Sequence, residues 1–454
     1  MFPQQQRRRG ALALAAGVTL ALTAACSSGS DDPATTPDPT GSSTDGAVAA
    51  PAGEITVLTW RTDLVEDGTF DRYVSEFKAK YPDVTDVKVE GITDYEGEVK
   101  TRMNTEDYGD VLAIVNTVNP DQLPDFFEPL GDQAAMSTEY RMLAPKSFEG
   151  KSYGIPVVGN TQGIVYNKKV WADAGITDLP TTPDEFLQDL KAIKDSAPDV
   201  DPLYTNYADG WPLTQWESHR GEISADPDFD NLFAQDDAPW AEGTDHYVID
   251  SLLWDAVEQG LTEADPTTTS WEPSKNLLGT GKIGAMVLGS WAIVQMQQAA
   301  TDSGGSADDI GYMPFPYQVD GTFHAIIGGD YNLGINVHSD NKVTARAWID
   351  WFNHDSGFAD DQGGISPLVD SQLPANLADF TAAGVEFIEM NPAPAGKESL
   401  LNDIDSAAEI GLWSPDYRKA LVDNARGAGE GKSKQEYFDS LDAKWAAARA
   451  TVAG

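Results

Sequence analysis

Aromatic side chains stand beside polar ones where several of the predicted strands and helices begin or end. They are Trp60 next to Arg61, Trp211 and Trp216 in "GWPLTQWE", Trp291 in "GSWA", and Tyr331 in "GGDYNLGI". Any one of these rings, taken alone, is most simply explained by packing in a core or between lobes. Sugars, however, offer C–H faces that lie against aromatic rings and hydroxyl groups that need paired donors and acceptors. Aromatic rings at the ends of so many predicted strands and helices therefore favour a carbohydrate-binding site.

Motifs of nucleophilic and metal-dependent enzymes do not occur in this sequence. Its histidines form no H-E-x-x-H or paired Cys/His spacing, and no G-x-S-x-G elbow, phosphate-binding loop or dinucleotide glycine pattern lies between a strand and a helix. We therefore predict no catalytic group, no metal and no cofactor.

One acidic stretch has the spacing of a calcium loop. In "DPDFDNLFAQDD", positions 1, 3, 5 and 12 of such a loop are Asp226, Asp228, Asp230 and Asp237. Asn231 stands where the loop needs a glycine. In a chain with 73 acidic residues, we interpret the stretch as a solvated acidic loop, with calcium as the alternative.

The charge of the chain excludes one class of partner. The formal net charge is -43, and such an acidic surface repels the phosphate backbone of nucleic acids. With 454 residues, 41% of them hydrophobic, the chain can bury a sizeable core. Its length favours two lobes over one.

The N-terminal segment predicts an exported, lipid-anchored protein. Residues 1–25 hold three arginines, an apolar run and then small residues, which is the layout of a signal peptide. The segment ends in "LTAAC", which resembles a lipobox, so we expect Cys26 to be lipidated and to anchor the protein. A free cysteine after an ordinary leader is the alternative, and the arginines leave twin-arginine export open. Residues 26–53 lack aromatic residues and predict a disordered tether.

The body begins with a pattern typical of a parallel α/β unit. Strands are predicted for "EITVLTW" (54–60), "VTDVKVE" (84–90) and "DVLAIV" (110–115). Between the first two, Phe70, Tyr73 and Phe77 recur at the spacing of one helix face. Strand, helix and strand in this order favour a parallel sheet.

The order of these and later segments resembles that of the family 1 extracellular solute-binding proteins. These are the sugar-binding lipoproteins of ABC importers related to maltose-binding protein. The matching segments are "YGIPVVGNTQGIVYNKKVWADAGI" (153–176), "GKIGAMVLGSWAI" (281–293), "IGYMPFP" (310–316) and "GGDYNLGINVHSDNKVTARAWIDWF" (328–352). The "P…NTQG…YNK" pattern and the "GSWA" turn are the most specific of them.

The resemblance implies an α/β protein with the two-lobed, type II periplasmic-binding-protein-like fold. In this fold the ligand cleft lies between lobes that are joined by crossover strands, beyond the carboxyl ends of parallel strands. Residues 54–160 together with 329–385 are expected to form one lobe. Residues 161–328 together with 386–450 are expected to form the other.

The resemblance also implies ligand contacts at positions that the family uses. Trp291 corresponds to a tryptophan that stacks on the ligand, with Gly289 turning the strand and Ser290 capping the helix that follows. Asn160 matches a position that is acidic in the maltose binders, so the hydrogen-bond pattern differs here. The other implied contacts are Trp60, Arg61, Asn116, Thr117, Gln162, Trp211, Trp216, Asp330 and Tyr331.

Two functions of different classes remain. The resemblance implies a monomer that closes on a mono- or oligosaccharide and delivers it to the permease subunits of an ABC importer at the extracellular face of the cell membrane. A cell-surface glycoside hydrolase is the alternative, and it would need two opposed carboxylates. Within the binding class, relatives also take iron, polyamines or phosphate-like anions. A ferric site would need clustered tyrosines and an anion site a basic cleft, so a sugar fits this acidic chain best.

Overall fold

The computed structural model describes residues 49–452. The predicted signal peptide (1–25), Cys26 and the predicted tether as far as residue 48 lie outside the described residues. Within the described range, no helix is both long enough and apolar enough to cross a membrane.

The strands are β1 (Gly53–Thr59), β2 (Val84–Gly91), β3 (Val111–Ala113), β4 (Gly131–Asp132), β5 (Ser147–Phe148), β6 (Lys151–Ser152), β7 (Val158–Asn167), β8 (Asp201–Leu203), β9 (Ile283–Gly289), β10 (Ile310–Met313), β11 (Gln318–Val319), β12 (Thr322–Asp330), β13 (Leu333–Ile335) and β14 (Glu386–Ile388). The α-helices are α1 (Thr62–Glu66), α2 (Thr69–Lys80), α3 (Tyr95–Arg102), α4 (Leu123–Phe126), α5 (Gln133–Met136), α6 (Lys168–Asp173), α7 (Pro183–Ser196), α8 (Phe229–Phe233), α9 (Asp245–Glu258), α10 (Trp271–Gly279), α11 (Ala292–Asp302), α12 (Lys342–His354), α13 (Phe358–Asp361), α14 (Ala378–Ala383), α15 (Leu400–Ala408), α16 (Pro415–Ala425) and α17 (Lys434–Val452). Short 3-10 helices include Pro120–Gln122 and Trp211–His219.

The first sheet has four strands in the order β13-β3-β1-β2. Strand β1 pairs in parallel with β2 and with β3, whereas β13 is antiparallel to β3. Helix α2 follows β1 and buries Phe70, Tyr73 and Phe77, the three residues whose spacing predicts one helix face. The predicted parallel α/β unit is therefore confirmed.

The second sheet is built around β7. Strand β9 pairs with β7 in antiparallel fashion on one side, and β12 pairs with it in antiparallel fashion as well. The chain passes from β12 to β13 of the first sheet through residues 331–332, and Ile155, just before β7, bridges to Leu333 of β13. The ends of β7 and β12 therefore lie next to the first sheet.

Hydrophobic packing follows the two sheets. One core joins the first sheet to helices α2 and α12, and Trp348 is fully buried in it. A second core joins part of the second sheet to α7, α9, α16 and α17, and a third lies between β9, β10 and α11. The lobe boundaries given above stay a prediction. Phe380 lies in the range predicted for the first lobe, and Tyr312 of β10 lies in the range predicted for the second. Their rings are nevertheless stacked, with 4.9 Å between centroids.

Three charged residues, Arg418, Glu217 and Asp250, form what we call the buried ion network. The network joins α16, the 3-10 helix that starts at Trp211, and α9. The guanidinium of Arg418 donates to Glu217 Oε2 at 2.9 Å and to Asp250 Oδ1 at 3.1 Å. All three side chains are buried. Burial alone would raise the pKa of Glu217, but the charges of His246 and Arg418 outweigh it and hold the pKa at about 2. Because Glu217 and Trp211 share one helix, the network helps to fix that tryptophan.

Candidate functional site

A cavity of about 390 Å³ lies beside the carboxyl ends of β1, β2 and β3, and we call it the β1–β3 cavity. Trp60 follows β1, Glu96 follows β2 and Asn116 follows β3, while Asp330 and Tyr331 line the cavity from the end of β12. Ligands of α/β proteins bind at this end of parallel strands. The volume falls within the roughly 300–1,000 Å³ of small-molecule sites.

Trp60 and Tyr331 form an aromatic wall of the β1–β3 cavity. Their rings are parallel to within 8°, with 3.7 Å between centroids, and Tyr95 meets Trp60 edge-on at 6.2 Å. Tyr331 is 40% exposed and has a backbone φ of 51°. Residues other than glycine are strained in this left-handed region, and such strain clusters at ligand sites. The crossing between the two sheets thus carries a flat aromatic surface.

Polar groups complete the β1–β3 cavity. The Glu96 carboxylate accepts from the backbone N–H of Asn116 at 3.0 Å and from its side-chain Nδ2 at 3.1 Å. Burial lowers the pKa of Lys146, and the charge of Glu96 opposes that shift. Protein atoms crowd the carboxyl of Asp330 and raise its pKa, although the Tyr331 backbone N–H donates to it at 3.0 Å. Carboxylates, an amide and an ammonium group together can pair with hydroxyl groups.

A second aromatic group lies on the second sheet, and we call it the tryptophan triad: Trp211, Trp271 and Trp291. Their ring centroids are 4.9 to 5.8 Å apart. Trp211 begins a 3-10 helix, Trp271 begins α10 and Trp291 directly precedes α11. All three residues are partly exposed, so the triad can present ring surface to a ligand.

Strand β7 runs between the two aromatic groups. Its Val158 is paired with Asp330, beside Tyr331, and its Gln162 is paired with Gly289, two residues before Trp291. At about 3.3 Å per residue, Val158 and Gln162 are about 13 Å apart along the strand. The side-chain Oε1 of Gln162 is buried and has no hydrogen-bond partner among the described residues. Because buried acceptors are almost always paired, this oxygen is a candidate contact for a ligand hydroxyl.

The turn before Trp291 differs from the prediction at Ser290. Its hydroxyl accepts from the backbone N–H of Thr161 at 3.1 Å and does not cap α11. The backbone N–H of Ser290 also donates to Thr161 O at 2.9 Å, so the serine still follows the strand and the helix starts later. Asn160 Oδ1 lies 3.4 Å from the same hydroxyl. Gly289 is required here because a Cβ would lie 2.5 Å from Trp291 Nε1.

Three predicted contacts are not brought to the site. Trp216 is 2% exposed in the core of the second sheet. A 3-10 helix has three residues per turn, so a residue five positions after Trp211 faces another side. Arg61 is directed towards α13: its Nε donates to Asp63 at 2.8 Å, and its guanidinium lies 6.0 Å from the Phe358 ring centroid. Thr117 is exposed next to Asn116 but does not line the β1–β3 cavity.

Sequence reasoning missed several residues of the site, among them Tyr95, Glu96, Lys146 and Trp271. Tyr95 and Glu96 come soon after the end of β2. Their position at the carboxyl end of a parallel strand could have identified them as candidate site residues. Trp271 stands at the start of α10, as the other tryptophans stand at element ends. Lys146 ends a short 3-10 helix, Ala144–Lys146, whose place beside β3 no local pattern indicates.

Size alone does not identify the site. A larger cavity, of about 790 Å³, lies between α11 and the stretch from α12 to residue 376. Neither Trp60 and Tyr331 nor the tryptophan triad lines it. We therefore assign the site by its chemistry.

The acidic stretch from 226 to 237 directs its carboxylates to separate partners. Asp226 accepts from the backbone N–H of Asp228 at 2.8 Å, Asp230 pairs with Arg220 at 3.0 Å, and Asp237 accepts from Arg449 Nε at 2.8 Å. Between residues 49 and 452, no group of three or more His, Cys, Asp or Glu side chains is placed to hold a metal ion.

Two bacterial binding proteins are similar in sequence to much of this chain. The diacetylchitobiose binding protein of Streptomyces coelicolor is 25% identical over 342 residues, which cover 71% of this chain and 74% of that protein. The multiple sugar-binding protein of Streptococcus mutans is 22% identical over 299 residues, or 62% of this chain and 67% of that protein.

Solved structures share the fold. A manno-oligosaccharide specific solute binding protein from Bifidobacterium animalis subsp. lactis, in complex with mannotriose, is 35% identical with a TM-score of 0.74, covering 88% of this chain and 95% of that chain. A binding protein of an ABC transporter from the same organism, in complex with mannobiose, matches with the same identity, coverage and TM-score. The α/β, two-lobed fold implied by the resemblance is confirmed. Residues 61–356 match the family described as bacterial extracellular solute-binding protein, and the chain belongs to that family.

Proposed function

We propose that this chain is the substrate-binding protein of an ABC importer and that its ligand is a neutral oligosaccharide. The observation that carries the proposal is the pair of aromatic groups on either side of β7, with the unpaired oxygen of Gln162 between them. The two solved relatives at 35% identity bind mannobiose and mannotriose. Short manno-oligosaccharides are therefore the first ligands to test.

The charge of the β1–β3 cavity supports a neutral ligand. Three carboxylates, those of Asp94, Glu96 and Asp330, line the cavity with one ammonium group, that of Lys146. A phosphate, a sulfate or a uronate would be repelled by this excess of negative charge. A polyamine would be attracted by it and is included in the screen for that reason.

The proposal is tested by a thermal-shift screen of the soluble body, residues 50–454. The screen contains manno-, chito- and raffinose-type oligosaccharides, polyamines and ferric iron. Ligand at ~100 times its Kd adds roughly 2.7 kcal/mol of stability. With an unfolding entropy of ~2.1 cal/mol/K per residue, the melting temperature should rise by about 3 °C.

Two outcomes of the screen would contradict the proposal. A response to iron or polyamines, with none to any sugar, would change the ligand class. Hydrolysis of a screened sugar, detected by chromatography after overnight incubation, would establish the glycoside hydrolase, although the relatives compared above are binding proteins.

We further propose that the chain is a monomer held at the extracellular face of the membrane by lipids on Cys26, where it meets the permease subunits. Two or more acyl chains anchor a protein stably, whereas one does not. The replacement Cys26→Ala should therefore move the full-length protein from the membrane fraction to the soluble fraction. Ser27→Ala is the matched control and should stay in the membrane fraction. Retention of Cys26→Ala in the membranes after a high-salt wash would contradict the lipid anchor.

A further inference from the structure

A single residue outside the tryptophan triad, Asp209, accepts hydrogen bonds from the backbone of two of its members. The carboxylate of Asp209 accepts from the backbone N–H of Trp271 at 2.6 Å. The carbonyl oxygen of Asp209 accepts from the backbone N–H of Trp211 at 3.0 Å. Asp209 and Trp271 are 62 positions apart in the chain. Asp209 therefore joins two tryptophans that come from distant segments.

The carboxylate of Asp209 takes the place of a local cap for α10. Ser270 stands at the N-cap position of this helix, but its side chain makes no capping hydrogen bond. The first N–H groups of a helix have no partner within the helix, and the helix dipole favours a negative charge beside them. Asp209 meets both needs at Trp271, the first residue of α10. The start of α10 is therefore fixed by the segment that leads to Trp211.

Asp209 lies in a closed turn, residues 206–210, which we call the β8 turn because it follows β8. The backbone N–H of Gly210 donates to Asn206 O at 3.0 Å and closes the turn. The backbone φ is 55° at Asn206 and 80° at Gly210, so both ends of the turn are left-handed. Glycine and asparagine adopt this conformation more readily than other residues. The residue types at its ends therefore suit the turn that positions Asp209.

Contacts from three other segments hold the β8 turn. The backbone N–H of Ala208 donates to Thr269 Oγ1 at 2.9 Å, and Lys419 Nζ of α16 donates to Ala208 O at 3.1 Å. Asn206 is fully buried, and its Nδ2 donates to Met286 Sδ of β9 at 3.4 Å. Strand β9 leads to the third tryptophan of the triad. The β8 turn is therefore tied to the segments that carry all three rings.

We propose that Asp209 is a positioning residue that holds Trp211 and Trp271 at the spacing with which the triad meets its ligand. This inference rests on the proposed function, which assigns the triad to ligand binding. The ring centroids of the two tryptophans are 4.9 Å apart. Asp209 itself is exposed and does not line the β1–β3 cavity. Without its carboxylate, the start of α10 loses the hydrogen bond that ties it to the β8 turn, and the surface that the rings present becomes less ordered.

Calorimetric titration of mannotriose into residues 50–454 measures the effect on binding. Asp209→Ala should weaken binding by about fivefold or more, because ordering the start of α10 must then be supplied by the binding free energy. Asp209→Asn keeps an acceptor oxygen, and asparagine is as good a helix cap as aspartate, so its Kd should stay within about twofold of wild type.

Circular dichroism reports on the triad without any ligand. Tryptophan rings that lie this close couple their excited states, and the band that belongs to the triad is the part of the wild-type spectrum that Trp271→Phe removes. Asp209→Ala should reduce this coupled band, and Asp209→Asn should keep it.

Asp132→Ala is the matched control. Asp132 is an exposed carboxylate that caps α5, where it accepts from the backbone N–H of Ala135 at 3.2 Å. It belongs neither to the triad nor to the β1–β3 cavity. The control should keep the coupled band and the affinity of wild type, even if its free energy of unfolding falls as far as that of Asp209→Ala.

Three results would overturn the inference. They are an unchanged coupled band in Asp209→Ala, a reduced band with wild-type affinity, and equal losses in Asp209→Ala and Asp209→Asn. If no sugar of the screen binds wild type, the proposed function fails. The coupled band then decides by itself whether Asp209 positions the triad.

Discussion

Replacing Trp291 with alanine is expected to weaken oligosaccharide binding by about 2 kcal/mol or more, roughly 30-fold, the scale of a central aromatic contact. The ring belongs to the partly exposed tryptophan triad beside β7, so its loss removes contact surface. Because the ring is not fully buried, the free energy of unfolding should fall by less than the ~3–5 kcal/mol of a buried aromatic. Calorimetric titration and denaturant unfolding on residues 50–454 measure the two effects, and Trp291→Phe should recover part of the affinity.

Trp216→Ala is the matched control for this substitution. The sequence places both tryptophans among the candidate contacts, but the structure buries Trp216 in the core with 2% exposure. Its loss should therefore cost ~3–5 kcal/mol of stability, with a smaller effect on the affinity of the folded protein. If Trp291→Ala destabilised the protein as strongly as Trp216→Ala and bound sugar normally, the contact assigned to Trp291 would be wrong.

The second large effect is expected from Arg418→Met in the buried ion network. Arg418 is 1% exposed and pairs with two carboxylates that are fully buried, Glu217 and Asp250. Removing the guanidinium takes the cationic partner from Asp250 and one partner from Glu217, which keeps its contacts with Arg220 and His246, in a low-dielectric interior. Breaking a buried pair in this way costs about 3–5 kcal/mol, a large part of the roughly 5–15 kcal/mol that stabilises a typical domain. Denaturant unfolding should show a lower midpoint with an unchanged slope.

Arg449→Met is the control on the surface. Arg449 pairs with Asp237, a side chain that is 70% exposed, so its loss should cost about 0–1 kcal/mol. The triple variant Arg418→Met, Glu217→Gln, Asp250→Asn should recover much of the stability, because no buried charge is left unpaired. A midpoint for Arg418→Met equal to that of Arg449→Met would show that the network contributes little.

The first sheet and one side of the site could be predicted because their signals are local. Strand β1 has an apolar run, β2 alternates apolar and polar residues, and the helix between them has a clear repeat. Once the strands are known to be parallel, Trp60 and Asn116 must meet at one edge of the sheet. Tyr331 was a candidate because it stands at the edge of a predicted element, whereas Asp330 was identified only through the resemblance to the solute-binding family. The structure places both in the same cavity.

The tryptophan triad was only partly predictable because it depends on contacts between distant segments. Trp271 joins Trp291 because α10 packs closely on α11: a Cβ on Gly279 would lie 2.7 Å from Ala300 Cα. No local pattern indicates that approach. Trp216 was misplaced because "WPLTQWE" forms a 3-10 helix, whose three-residue turn no apolar repeat reveals. Ser290 was misassigned because its bond to Thr161 joins residues far apart in sequence.

The central claim is that one neutral oligosaccharide contacts both aromatic groups at once. Calorimetric titration of mannotriose into wild type, Trp60→Ala and Trp291→Ala tests this most directly. We expect one ligand per chain in wild type and clearly weaker binding in each variant, because Trp60 lies on one side of β7 and Trp291 on the other. Wild-type affinity in either variant, or no heat from mannotriose or any other neutral oligosaccharide of the screen, would contradict the claim.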